Sequence, residues 1–261
     1  MQLLQLCRRA LALSPGLLLL TVGSVSHPPP GRAAALPLPA LMLWAWERPE
    51  DLRHLDAQRI GVAYLAATLL LRQERVVVRP RMQPLQVSPA TIVMPVIRLE
   101  IERATPPTLP ASQRARVVAA IVALSRKTPA PVLQLDFDAP VSARALYRAV
   151  LDDLRRVLPD TIRLSITALA SWCLGDSWLA DLPIDEAVPM LFRMGADRQQ
   201  VRRHLQAGGV LRCRTPHQSL GLATDEPLPR VPSGLRVYLF SPRAWSPATL
   251  HSALEEAQRW P

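Results

Sequence analysis

The stretch Leu133-Gln134-Leu135-Asp136-Phe137-Asp138 alternates apolar and polar side chains without a break. Successive side chains of a β-strand point to opposite faces, so the alternation predicts a strand with Leu133, Leu135 and Phe137 on one face and Gln134, Asp136 and Asp138 on the other. In a barrel of parallel strands wrapped by helices, the apolar set packs outward on helices. The polar set then faces the lumen and its upper mouth.

Outward from this strand the chain repeats its pattern. From Ala40 onward short apolar runs alternate with amphipathic stretches, as in a parallel sheet covered by helices. Eight runs qualify as strands: Leu41–Trp46, Ile60–Leu71, Ile92–Ile101, Val132–Asp138, Ile162–Leu169, Val188–Met194, Leu220–Thr224 and Leu235–Phe240. After Pro49 a helix of one or two turns is expected through Leu55. Arg72–Val87 holds Val76, Val77 and Val78 with Pro80 and Pro84 and shows no helical period, so a hairpin is expected there in place of a helix. Helices are expected over Ser112–Ser125, from Ser142 to Val157, from Asp197 to the Gly208-Gly209 stop, and from Ser246 to about Arg259. The fold predicted for residues 40–261 is a single (β/α)8 TIM-like barrel.

The N-terminal part reads differently. Arg8 and Arg9 precede the apolar run Ala10–Val22, which ends in Gly23, Ser24 and Ser26, the pattern of a secretory signal over residues 1–26. The run is shorter than the roughly 20 residues of a membrane span and is interrupted by Pro15 and Gly16. No stable span is therefore expected once the signal is cleaved, and the mature protein is expected in the periplasm or outside the cell. Residues 27–39, rich in Pro and Ala, read as a linker. An oxidising exterior permits a Cys173–Cys213 disulfide, and two buried thiols are the alternative.

The formal charge of +10 comes almost wholly from arginine, Lys127 being the only lysine. These arginines are scattered through helices and loops without interleaved aromatics, so no nucleic-acid partner is expected. A basic surface still attracts anionic envelope polymers at long range, an attraction that salt weakens. His54, His204, His217 and His251 stand apart, with no metal-ligand spacing. Phosphate-binding loops and nucleophile elbows are lacking too, so neither metal nor cofactor is expected.

The chemistry is expected on the fourth strand. Carboxyls in a dry lumen have raised pKa values, and two carboxyls of unlike pKa are what acid/base glycoside chemistry needs. Residues two apart on a strand lie roughly 6–7 Å apart along the backbone, which fits either the retaining or the inverting arrangement. Asp138 falls at the carboxyl end of its strand, where barrel enzymes place their chemistry. The alternative is an ion-pair network in which Asp136 is matched by Arg98 or Arg193.

With Asp138 as acid/base and Asp136 tuning it, the other polar groups at strand ends become ligand-binding candidates: Glu47, Glu100, Asp176, Asp225 and Glu226. Tyr64 and Arg193 complete the wall, and Trp172 and Trp245 are rings in loops that could stack on a sugar face. The expected ligand is a polysaccharide or oligosaccharide. A non-catalytic glycan-binding or structural barrel of the envelope is the alternative.

The stretches LWAWERPEDLRHLD, GVAYLAAT, LQLDFDAP, LSITALASWC, DEAVPMLFRMG and LGLATDEP, spanning residues 41–245, together resemble a bacterial family of uncharacterised function. That resemblance implies a barrel related to glycoside hydrolases. The fourth strand is also similar to the D-x-x-D-x-D-x-E motif of family-eighteen chitinases. With Asp136 and Asp138 on its two middle acids, Leu133 takes the place of the first acid and Pro140 that of the catalytic Glu.

Overall fold

The computed structural model describes residues 37–102, 110–174, 178–211, 213, 215, 217–227 and 234–258. The segment expected to be a signal, residues 1–26, and the expected linker as far as residue 36 lie outside them. The strands are β1 (Leu41–Ala45), β2 (Glu50–Leu52), β3 (Ile60–Arg72), β4 (Arg75–Pro80), β5 (Leu85–Val87), β6 (Val93–Ile101), β7 (Val132–Asp136), β8 (Arg163–Leu169), β9 (Glu186–Met190), β10 (His217–Ala223) and β11 (Arg236–Phe240). The helices are α1 (Ala111–Lys127), α2 (Arg144–Val157), α3 (Arg198–Gln206) and α4 (Pro247–Gln258).

Eight of these strands are parallel neighbours in the order β1, β3, β6, β7, β8, β9, β10, β11, and β11 pairs with β1 to close the barrel. The expected (β/α)8 TIM-like fold is the fold observed. The hairpin is present as well: β4 runs antiparallel along β3, from Arg72 opposite Arg75 to Ala67 opposite Pro80. Gln73, at φ 47°, turns the chain, and the Gln113 amide of α1 holds the turn by donating to the carbonyls of Gln73 and Arg75.

Alternation decides which side each residue takes. Leu133, Leu135 and Phe137 pack outward with Val117 and Ile121 of α1 and with Tyr147, Val150 and Leu154 of α2. Those helical positions recur at three- and four-residue spacing, which makes one buried stripe. Inside, Met42, Trp44, Met94, Val96, Val188 and Tyr238 fill the lumen.

Several expected boundaries shift. The segment after Pro49 forms the short strand β2, paired in parallel with β5, and not a helix. Ser142 lies in a 3-10 turn and makes no capping hydrogen bond, and Asp197 makes none at the start of α3. Ser246 does cap α4: its Oγ accepts from the Thr249 N–H at 3.2 Å while Thr249 Oγ1 accepts from the Ser246 N–H at 2.8 Å. The sixth barrel strand begins at Glu186 and ends at Met190, ahead of the expected Val188–Met194, because the acid that opens it is fully matched inside the barrel. Among the described residues no helix is long and apolar enough to cross a membrane.

Candidate active site

The lower lumen is polar and self-satisfied. Glu186, fully buried, accepts hydrogen bonds from Ser165 Oγ at 2.8 Å, Tyr238 Oη at 2.8 Å, Ser219 Oγ, and Arg236 Nη1 at 2.6 Å. Burial and the Glu186 charge hold the Tyr238 hydroxyl well above the ordinary tyrosine pKa. Above this layer, Gln134 accepts from Trp44 Nε1 at 2.9 Å and donates to Ser165 Oγ at 3.0 Å, which fixes the indole across the lumen. Gly221 leaves room for that ring, since a Cβ there would lie 2.8 Å from its edge.

On this floor opens a cavity of about 260 Å³ at the carboxyl ends of the strands, walled by Trp46, Phe192 and Phe240 and by Asp136 and Asp138. The Phe192 and Phe240 rings stack with centroids 5.5 Å apart, and Trp46 meets Phe240 edge-on. Asp136 ends β7 with its side chain buried. Its Oδ1 accepts from Thr167 Oγ1 on β8 at 2.7 Å, and its Oδ2 lies 3.4 Å from Arg98 Nη1 on β6. Arg98 also pairs with Glu100 at 2.8 Å and lies over the Trp46 ring.

Burial, and then the neighbouring Asp138 charge, push the Asp136 carboxyl from 3.8 up to about 6, against the pull of Arg98 and Thr167. Asp138 stands exposed at the rim, yet the surrounding wall removes enough water to raise its pKa too, with Arg98 opposing. Among the described residues no side chain hydrogen-bonds to the Asp138 carboxyl. One acid is therefore clamped and the other free, both with proton affinity above the carboxylate norm. Such a pair can donate and retrieve a proton at the mouth.

The structure distributes the remaining sequence candidates as follows. Arg98, not Arg193, is the cation at Asp136. Arg193 sits at φ 48° on the cavity wall, its guanidinium over Phe240 and 3.0 Å from Asp225, its N–H donating to Glu226 at 2.8 Å. Asp225 and Glu226 thus brace the rim and do not line the cavity. Glu47 is exposed beyond β1, away from the cavity.

Three expectations need correction. Tyr64 faces the outer layer, because its neighbour Ala63 takes the lumen side. Trp172 is 2% exposed, packed edge-on with Trp178 and beneath Arg144. Trp245 is 4% exposed and donates from Nε1 to the Trp44 carbonyl at 3.0 Å. Neither ring lines the cavity: Trp172 packs in the core cluster of α1 and α2, and Trp245 in that of α4. Asp176 lies outside the described residues.

Sequence reasoning missed Trp44, Trp46, Thr167, Phe192, Phe240 and the half-buried Asp197 of the cavity wall. The first three share strand parity with the lumen residues Met42 and Ser165, a signal the alternation does carry. Among the described residues no group of His, Cys, Asp and Glu could hold a metal ion.

No family model matches the chain, and no curated protein does. Among solved structures, the chain is similar to the Bacillus cereus spore cortex-lytic enzyme SleL, at 16% identity and a TM-score of 0.46 over 84% of this chain. It spans 58% of that enzyme's length. It is also similar to the chitinase domain of the spore coat protein CotE from Clostridium difficile, at 13% identity and a TM-score of 0.43, covering 78% of this chain and 69% of that one.

Proposed function

We propose that the protein is an exported glycoside-hydrolase-like enzyme acting on an envelope or extracellular polysaccharide by carboxylate acid/base chemistry. Asp138 is the general acid/base, and Asp136 orients and tunes it. The observation that carries this reading is the clamped-and-free acid pair in an aromatic cavity at the carboxyl end of the barrel. The cavity is sized for a sugar unit and not for a large cofactor. Its rings offer flat apolar faces to a pyranose, while Arg98 and Asp136 offer hydroxyl partners.

In the forward step the protonated Asp138 carboxyl donates to the glycosidic oxygen as the bond to the anomeric carbon breaks. The resulting carboxylate then takes a proton from the attacking water. Ionised Asp136, two residues back, stabilises positive charge on the sugar ring and favours retention of the Asp138 proton. Activity is expected to fall as the pH rises through about 6, where the pair loses the one proton it shares and none remains for Asp138 to donate. The disulfide between Cys173 and Cys213 supports export, since such bonds persist in oxidising compartments and are rare in the cytosol.

One observation favours a second reading, a glycan-binding barrel without catalysis. Pro140, where the chitinase-like motif carries its catalytic acid, begins a turn and supplies no carboxyl. Reducing-end release from a panel of bacterial and plant polysaccharides, by wild type beside Asp138→Asn and the Asp136→Asn/Asp138→Asn double variant, separates the two. Release lowered at least about 100-fold in both variants, with folding intact, is the expected result. No release by wild type, together with a glycan-dependent rise in Tm, moves the protein to the binding reading.

A further inference from the structure

Across β4, β3, β6 and β7 the register places Arg79 opposite Thr68, Thr68 opposite Arg98, and Arg98 opposite Asp136. Registered neighbours project from the same face of a sheet, so this row leads from the mouth outward along one surface. The rows beyond it on that face are Val77, Leu70 and Glu100, then Arg75 and Arg72. The opposite face carries Leu69, Leu71, Ile97 and Leu99, which pack beneath α1. With 13 residues in β3 and 9 in β6, against 5 in β7, this wall rises above the rim. At about 4.8 Å between strands, the Arg79 backbone lies roughly 14 Å from that of Asp136.

Four arginines stand on this face. Arg98 is engaged by Asp136 and Glu100, and Arg72 by Glu102 at 2.9 Å. Arg75 and Arg79 are exposed, and among the described residues neither guanidinium has an ion-pair or hydrogen-bond partner. Between them Val77 is 39% exposed, while Leu70 and Thr68 on the same face are buried, so the accessible surface there is Val77 and the arginine side chains. Two unmatched guanidinium forks flanking an exposed valine suit a chain of sugar rings that bear carboxylates. The forks take the carboxylates in paired hydrogen bonds, and the valine meets a ring face.

The geometry points to this face as a shelf on which an anionic, carboxylate-bearing glycan lies, running from the mouth across β6 and β3 to β4. The inference rests on reading the mouth as a glycan site, and it names the charge of the substrate.

The test is calorimetric binding of polygalacturonate and of its fully methyl-esterified form, the same backbone without the charge. Full-length wild type, Arg75→Gln/Arg79→Gln and Asp136→Asn/Asp138→Asn are compared at low and high salt. Wild type is expected to bind the charged polymer roughly tenfold tighter than the ester, a preference that salt erodes. The arginine variant loses that preference at unchanged Tm, and the aspartate variant keeps it.

Equal affinity for the two forms, binding to neither, or an arginine variant that binds like wild type overturns the inference. So does equally tight binding of single-stranded DNA, which would mean a surface that reads charge and not sugar. Failure of the catalytic reading looks different: no polymer releases reducing ends while the charge preference stands. Failure of the shelf shows as release from neutral polymers with no preference for charge.

Discussion

Asp136 is where burial and pairing compete most directly. Arg98 lies 3.4 Å from its carboxyl, but a third of the arginine side chain is in water, which screens its field. Burial and the like charge of Asp138 win, and the carboxyl titrates at about 6 against 3.8 in an unfolded chain. Because the folded value is the higher one, Asp136 contributes stability that is fully present below pH 4 and is lost as the pH rises through 6. The size of that contribution is roughly 3 kcal/mol. Asp136→Asn, which keeps an acceptor for Thr167, is expected to be more stable than wild type by roughly 2–3 kcal/mol at pH 8. Denaturant unfolding should show the gap closing toward zero below pH 4, whereas a variant less stable than wild type at pH 8 would mean that the Arg98 pair dominates. The polar lumen face of this residue was legible from alternation; the identity of its cation was not, because Arg98 and Arg193 are equally plausible until the register is known.

At the scale of elements, β9 shows how a buried charge can open a strand. The Glu186 side chain has no exposure, and its acceptor sites are filled by Ser165 and Ser219 from the flanking strands β8 and β10 and by Arg236 and Tyr238 from β11, one strand further round the barrel. Removing one partner of such a pair costs more than the pair itself contributes, because the other charge stays buried. Glu186→Gln would leave Arg236, 12% exposed, without its anion, and a loss of about 3 kcal/mol in urea unfolding is expected. A loss under about 1 kcal/mol would show that the carbonyls of Leu38 and Pro39, which Arg236 also contacts, suffice for that cation. A window on the sequence ends a strand at a charge, and so it placed this strand two residues late at its start. The hairpin of β3 and β4 was legible because Pro80 and Pro84 break any helical period, whereas the pairing of β2 with β5 joins residues too far apart for a local pattern to reveal.

Across the whole molecule, the Cys173–Cys213 bridge ties the segment after β8 to the approach to β10, with Cα atoms 4.6 Å apart and the two residues 40 positions apart in sequence. Ser171, two positions before Cys173, lines the cavity, so the bridge also anchors one wall of the site. Constraint of the unfolded chain over such a loop amounts to about 3–4 kcal/mol, and reduction under native conditions is expected to lower stability by that order. Melting with and without reductant, beside the Cys173→Ser/Cys213→Ser variant, checks it; an unchanged Tm would mean that packing alone holds the wall. The sequence by itself determined the barrel, its hairpin and the face on which Asp136 and Asp138 lie, because these follow from the two-residue period of strands and the alternation of strand with helix, both local properties. Only the tertiary structure decided which rings line the mouth, which arginine meets Asp136, that the two cysteines join, and that Arg75 and Arg79 share a face with the site. Each of those depends on the register between strands distant in sequence, which closure of the barrel fixes and no local pattern encodes.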